Sequence, residues 1–236
     1  MTLRIDRSRL RSIAVLDEDD ELLVVAKPAG MAVHGGAGET GRTVLELLEE
    51  AYVPRMALHL VHRLDKATSG VMVVAKTRET AKKLGQIWDT AEKTYVAVVK
   101  GAYRGPMRID RPLPDDDGIS RPAATRIEVL AVMEAIQPAT TLIRASIETG
   151  RTHQIRRHLA DVSSPVMLDD KHGDFAANKA WVRAIKEAGV RAPHKADLML
   201  HAWRLALGDR KWTSAMPAIW GPVLKLAGAS DEALAT

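Results

Sequence analysis

The chain has 236 residues, 46% hydrophobic and 27% charged, enough for one large or two small soluble domains whose core needs no covalent staples. It contains no cysteine, which excludes disulfides, cysteine-based zinc sites and a cysteine nucleophile, and no apolar run approaches the roughly 18 residues of a spanning helix. The net charge of +4 points to a polyanionic partner, and with Phe, Trp and Tyr at only 4% a backbone-and-shape mode of holding RNA is favoured over stacking on many bases.

Residues 1–12 are basic and poorly patterned and read as an extended arm. Asp17 to Asp20 makes a turn before the short buried strand Leu22–Ala26, which Lys27-Pro28-Ala29-Gly30 stops. Val33 to Gly38 is a glycine-rich loop without the Lys-Ser/Thr pair of a phosphate loop. Thr43 is placed to cap a helix over 44–51, with Val44, Leu47, Leu48 and Ala51 on one face. Then comes His62-Arg63-Leu64-Asp65-Lys66-Ala67-Thr68-Ser69-Gly70, whose turn residues lead into a β-branched buried strand over 71–76. A helix over 79–88 and a strand over 94–99 follow. Residues 104–122, rich in Pro, Asp and Gly, read as an exposed connection, with a hairpin as the alternative. The alternation over 125–132 and 140–148 predicts two antiparallel strands. Thr149-Gly150 ends the second, and Arg151 or Thr152 opens a short helix with Ile155 and Leu159 as its buried edge. A loop over 163–175, a helix over 176–188, a strand over 199–207, a helix over 217–226 and a frayed end complete the chain. Many strands among few helices, without a βαβ rhythm, predict an α+β fold around a mainly antiparallel or mixed sheet. The organisation is an arm over 1–12, a body over 13–226 and a tail over 227–236.

Two segments are dense in chemistry. Asp65 stands at the mouth of a strand between Arg63 and Lys66, close to where a polyanion would sit; it is either a reactive carboxylate or a loop ion pair. Gly150 to His158 is the second, in which Arg156 is either in reach of a partly buried acid or part of a solvated basic helix. Tyr95, the first aromatic of an aliphatic strand, faces either a pocket or the core. The eight histidines lack metal-site spacing: His59 and His62 fall on opposite faces if extended, His153 and His158 are wrong for one helical face, and no metal is expected. Ser69 lacks a nucleophile elbow and reads as a turn.

Taken in order, Leu23-Val24-Val25-Ala26-Lys27-Pro28-Ala29-Gly30-Met31 with Val33-His34, His62-Arg63-Leu64-Asp65 with Thr68-Ser69-Gly70 and Ala75-Lys76, Lys93-Thr94-Tyr95, Thr149-Gly150-Arg151-Thr152-His153-Gln154-Ile155-Arg156 and Leu200-His201-Ala202 resemble the RluA family of pseudouridine synthases. The loop Ala32–Gly38 and the stretch Asp169–Asp174 are most similar to its RluC-type branch, which acts on large-subunit ribosomal RNA. Met167-Leu168 and His172 stand where that branch has small and tyrosyl residues. Many rRNA-directed members carry an N-terminal S4 domain; only about a dozen residues precede the matching segment here, so docking is expected from the catalytic domain itself.

The resemblance implies a pseudouridine synthase fold over 13–226 with an active-site cleft across the sheet, and isomerisation of a flipped uridine without cofactor. It implies Asp65 as the catalytic aspartate, Arg156 as its ion-pair partner and Tyr95 under the uracil. Arg63 is expected to replace the flipped nucleotide in the RNA helix, and His62, Lys76, Arg151, His153 and Gln154 to contact RNA. The expected substrate is 23S rRNA, with tRNA-directed isomerisation or non-catalytic RNA binding in ribosome assembly as alternatives. A cytoplasmic monomer with no required protein partner and no membrane association is expected.

Overall fold

Two strands buried on both faces organise the first half of the chain. In the computed structural model, which describes residues 4–6, 8, 10, 12–36, 41–115, 117–194 and 197–234, the chain begins with β1 (Arg4–Ile5), β2 (Ala14–Glu18), β3 (Leu22–Lys27), α1 (Val44–Ala51), β4 (Tyr52–Val53), β5 (His59–Leu60), β6 (Ser69–Ala75) and α2 (Arg78–Ile87). There follow β7 (Glu92–Lys100), β8 (Arg108–Asp110), β9 (Leu113–Pro114), β10 (Ser120–Arg121), β11 (Ala124–Met133), β12 (Thr140–Ile147) and α3 (Gln154–Asp161). The chain closes with α4 (Phe175–Glu187), β13 (Leu200–Leu207), β14 (Arg210–Thr213), α5 (Trp220–Ala227) and α6 (Asp231–Leu234). It divides into two compact units, Met1–Ala91 with Ala202–Ala215, and Glu92–His201 with Met216–Thr236.

In the first unit β2, β3 and β6 pair antiparallel, and β14 pairs antiparallel with β13. All seven residues of β6 are buried. Leu22, Val24, Val71 and Val73 form one face with Leu205, Leu207 and Trp212, covered by Leu84 of α2 and by Trp88. Leu23, Val25, Met72 and Val74 alternate onto the other face and are equally inaccessible. Each such side chain contributes about 1.5–3 kcal/mol on burial, so the apolar runs read from the sequence are the core. Helix α1 spans the expected residues because its start is encoded locally. Thr43 accepts from the Glu46 N–H while the Glu46 carboxylate accepts from the Thr43 N–H. The expected arm is partly tied down: Arg4 and Ile5 pair with Val53 and Tyr52, and Leu10 is buried. The expected turn at Asp17 begins later, since β2 runs to Glu18 and Asp19 caps the bend through the Glu21 and Leu22 N–H groups. Of the glycine-rich loop, Ala37 and Gly38 lie outside the described residues.

In the second unit β8, β11 and β12 pair antiparallel in succession and β7 returns beside β12, also antiparallel, with a bulge between Val129 and Ala131. The exposed connection holds the small β9–β10 hairpin. Helix α3 buries Ile155 and Leu159 as expected, but starts at Gln154. Neither Arg151 nor Thr152 caps it; His153 is the N-cap residue, in a left-handed conformation with φ +54°, and the Gln154 side chain turns back to accept the Arg151 N–H. Helix α5 starts at Trp220 instead of Pro217, because Pro217 enters a turn whose carbonyl accepts the Trp220 N–H. The fold is α+β, with antiparallel sheets flanked by helices.

Candidate active site

The His62–Gly70 loop is pinned at several points, and Asp65 stands at its centre. Leu64 anchors it in the core, and Thr68 closes a turn by donating its N–H to the Asp65 carbonyl at 3.1 Å. His62 stacks on Trp88 at 4.4 Å between ring centroids, and its Nε2 accepts the Val73 N–H at 2.9 Å, which places the neutral ring's proton on Nδ1. The loop ends at Gly70, with φ +120°, where a Cβ would lie 2.2 Å from the Ala202 carbonyl oxygen; only glycine fits that approach. Asp65 itself is half-buried and Arg63 exposed.

Beneath this loop lies Lys27, which by sequence alone is no more than part of a strand stop. It is 1% exposed, and its Nζ donates to the carbonyls of Pro28 and Met31 at 2.8 Å and of Lys66 at 3.0 Å. Three donors meeting three acceptors suit an ammonium. Burial nonetheless pushes its pKa down to about 7, with the negative charge of Asp65 acting in the opposite direction. Lys27 thus clamps the loop from below and is close enough for its charge and that of Asp65 to act on each other.

In the second unit Arg156 lies on the first turn of α3 and is 3% exposed, so the solvated-helix reading fails. The acid it reaches is Asp169, 1% exposed. Nε donates to Oδ2 and Nη2 to Oδ1, each at 2.7 Å, with Nη2 also 3.2 Å from Asp170. The Asp169 carboxylate also accepts the N–H groups of Lys171 and His172 at 2.9 Å. Burial pushes its pKa up, but Arg156 and these two amides outweigh it and hold the carboxyl below its usual range. Asp169 is visible in the sequence only as part of a family-like stretch; thirteen positions of separation from Arg156 carry no local signal.

The other expected site residues fall out as follows. Tyr95 pairs with Ala145 across β7 and β12 and is half-buried. Gln154 is buried with its amide engaged at both ends: Oε1 accepts from Thr149 Oγ1 and the Arg151 N–H, and Nε2 donates to the Ala124 carbonyl and to Thr125 Oγ1. It braces the turn before α3, so an RNA contact there would break these bonds. Arg151 donates to the Pro122 carbonyl, and His153 Nδ1 lies 3.0 Å from His172 Nε2. Lys76 pairs with Glu18 at 2.9 Å, with its ammonium over the Tyr52 ring. No cluster of three or more His, Asp or Glu side chains fit to hold a metal ion occurs among the described residues, and no helix among them is long and apolar enough to cross a membrane.

Known proteins agree with the motifs. The family described as RNA pseudouridylate synthase matches residues 21–161, a span that contains Asp65, Tyr95 and Arg156. Ribosomal large subunit pseudouridine synthase D of Nitrosomonas europaea is 36% identical over 83% of this chain and 58% of its own length. Ribosomal large subunit pseudouridine synthase C of Haemophilus influenzae is 35% identical over 81% of this chain and 59% of its own. The chain therefore spans somewhat under two thirds of these relatives. The C enzyme of Escherichia coli K12 is 36% identical over 93% of this chain and 67% of its own length. Among solved structures, human RNA pseudouridylate synthase domain containing 4 superposes with a TM-score of 0.73 at 26% identity, covering 94% of this chain and 95% of that one. With its motifs in order and these matches over most of its length, the chain belongs to the RNA pseudouridylate synthase family, in the RluA-type branch that its sequence resembles.

Proposed function

We propose that the protein converts specific uridines of large-subunit ribosomal RNA to pseudouridine. The observation that carries this reading is the 36% identity, over most of the chain, to enzymes named for that reaction. It is supported by the pinned loop that presents Asp65.

In this reading the target uridine is flipped out of its helix, at a cost of a few kcal/mol that is smallest in loops and irregular stems. Asp65 acts on the ribose, either by attack at C1′ or by removing a proton at C2′, and the C1′–N1 bond breaks. The uracil turns and C5 bonds to C1′, displacing the Asp65 carboxylate after attack at C1′ or with the proton returned to C2′ after its removal; the C5 proton leaves and N1 takes up a proton, so the reaction is an isomerisation that consumes nothing. Arg156 pairs with Asp65, and Tyr95 lies under the uracil and handles the C5 proton. Arg63 stacks in the gap left by the flipped base. His62, Lys76, Arg151 and His153 complete the proposed RNA-facing set, while Gln154 braces the turn that carries Arg151 and His153. The enzyme works as a cytoplasmic monomer, without a cofactor or an obligatory protein partner.

The test is pseudouridine mapping by carbodiimide modification and primer extension, on ribosomal RNA and tRNA incubated separately with wild type and Asp65→Asn. A stop in ribosomal RNA that the variant loses, with RNA binding retained, is the expected result. A stop confined to tRNA replaces the substrate and keeps the chemistry. Full activity of Asp65→Asn overturns the site, and silence on both RNAs with tight binding turns the protein into a non-catalytic RNA-binding factor.

A further inference from the structure

We infer that Asp169 is a positioning residue for the reaction: it fixes the plane of the Arg156 guanidinium and neutralises most of its charge, so that Arg156 acts through orientation more than through bulk charge. This rests on the reading that Arg156 serves Asp65.

The geometry is that of a built socket. A guanidinium held through both Nε and Nη2 by one carboxylate has no freedom to rotate about its last bond, and the direction of Nη1 is thereby set. The socket is rigid in turn. Asp169 is gripped by the Lys171 and His172 amides, and the Leu168 N–H donates to Asn178 Oδ1 at 2.8 Å from the first turn of α4. Leu168 holds φ +62°, a conformation that side chains adopt only when the surroundings impose it. At Gly173 a Cβ would stand 2.2 Å from the Asp169 carbonyl oxygen, so the loop closes over its own acid. Asp174 then caps α4 through the Ala177 N–H and pairs with Lys100 at 2.6 Å. An arginine needed only as a distant cation would require none of this. A bidentate partner buried to 1% makes the pair nearly neutral, and what survives is a donor aimed in one direction.

A thermodynamic cycle tests it, with single-turnover kcat and KM measured on a ribosomal RNA transcript for wild type, Asp169→Asn, Arg156→Ala and the double variant. Asp169→Asn is expected to lower kcat about tenfold or more, since misplacement by about 1 Å costs up to about a hundredfold, with KM within about twofold. In the Arg156→Ala background the same change is expected to cost nothing further. The acid limb of the kcat–pH profile should also move to lower pH in Asp169→Asn, because an uncompensated Arg156 charge favours the ionised form of Asp65. A residue of merely structural importance would lower the melting temperature without shifting that limb, and its loss would add to that of Arg156→Ala. Additive losses, or full kcat in Asp169→Asn, overturn the inference. If Asp169→Asn does not fold, Asp169→Glu decides: it keeps the charge and displaces the fork, so a lowered kcat with an unmoved acid limb supports the inference and a wild-type kcat overturns it. Wild-type kcat in Arg156→Ala would instead overturn the role given to Arg156, a failure distinct from that of Asp169.

Discussion

Lys27 makes the stability of this protein rise with pH where most lysines are silent. Its native pKa of about 7 lies well below the 10.5 of an unhindered lysine, with burial as the cause. Between those values the unfolded chain carries a proton that the native state lacks. The unfolded state binds more protons there, so stability increases as pH rises and the penalty is fully present below pH 7. One pKa unit corresponds to about 1.36 kcal/mol, and half-occupancy at pH 7 trims the first step, so the gain from pH 7 to 9 is about 2 kcal/mol. Urea denaturation followed by tryptophan fluorescence, on wild type and Lys27→Met across that range, isolates the effect because other titrating groups cancel in the difference. The variant is expected to be less stable where the three carbonyls lose their donor, at a cost of about 1–3 kcal/mol for each orphaned group. The stability difference between the proteins should widen in favour of wild type by about 2 kcal/mol from pH 7 to 9. A difference that stays flat would refute the reasoning: it would mean that three carbonyls and Asp65 keep the ammonium charged in spite of its burial.

Gly70→Ala forces a methyl group into the Ala202 backbone at 2.2 Å and at φ +120°. It should cost about 3 kcal/mol or more and lower the melting temperature by roughly 6–12 °C; an unchanged melting curve would show that the strand yields there. RNA binding, read by fluorescence anisotropy with the Asp65→Asn protein, should weaken steeply with salt. The second unit has a cavity of about 960 Å³ in which Lys179, Lys186 and Arg191 stand around apolar Val182 and Ile219. Changing these three cations to Glu should flatten the slope of log K against log salt by about 2–3, at roughly 0.7–0.9 for each phosphate no longer neutralised, and an unaltered slope would place the RNA elsewhere.

Much of this was legible along the chain, and the reason is locality. The 44–51 helix was readable because a capping box and one apolar face lie within ten residues. Strands β3 and β6 were readable because unbroken aliphatic runs of that length have few other fates. The His-Arg-Leu-Asp and Gly-Arg-Thr-His-Gln-Ile-Arg segments are each contiguous, so the family is legible in the sequence itself. A boundary that depends on an unusual conformation, as at His153, or on a partner elsewhere in the chain leaves no local signal. The β14 strand went unread because its pairing with β13 follows from tertiary context, in which the Trp212 indole donates to Asp17 at 2.7 Å.

The sequence by itself determined the α+β class, the aliphatic core strands, the family and the identity of the candidate reactive groups, all of which are written in side-chain type and short-range order. Only the tertiary structure decided what surrounds those groups. It put Lys27 under the Asp65 loop by bringing together carbonyls from residues 28, 31 and 66, made Gly70 a point of close approach to Ala202, and gave Arg156 a buried carboxylate thirteen positions away. Burial and directional hydrogen bonding are properties of neighbours in space, and a chain brings such neighbours together only once it has folded.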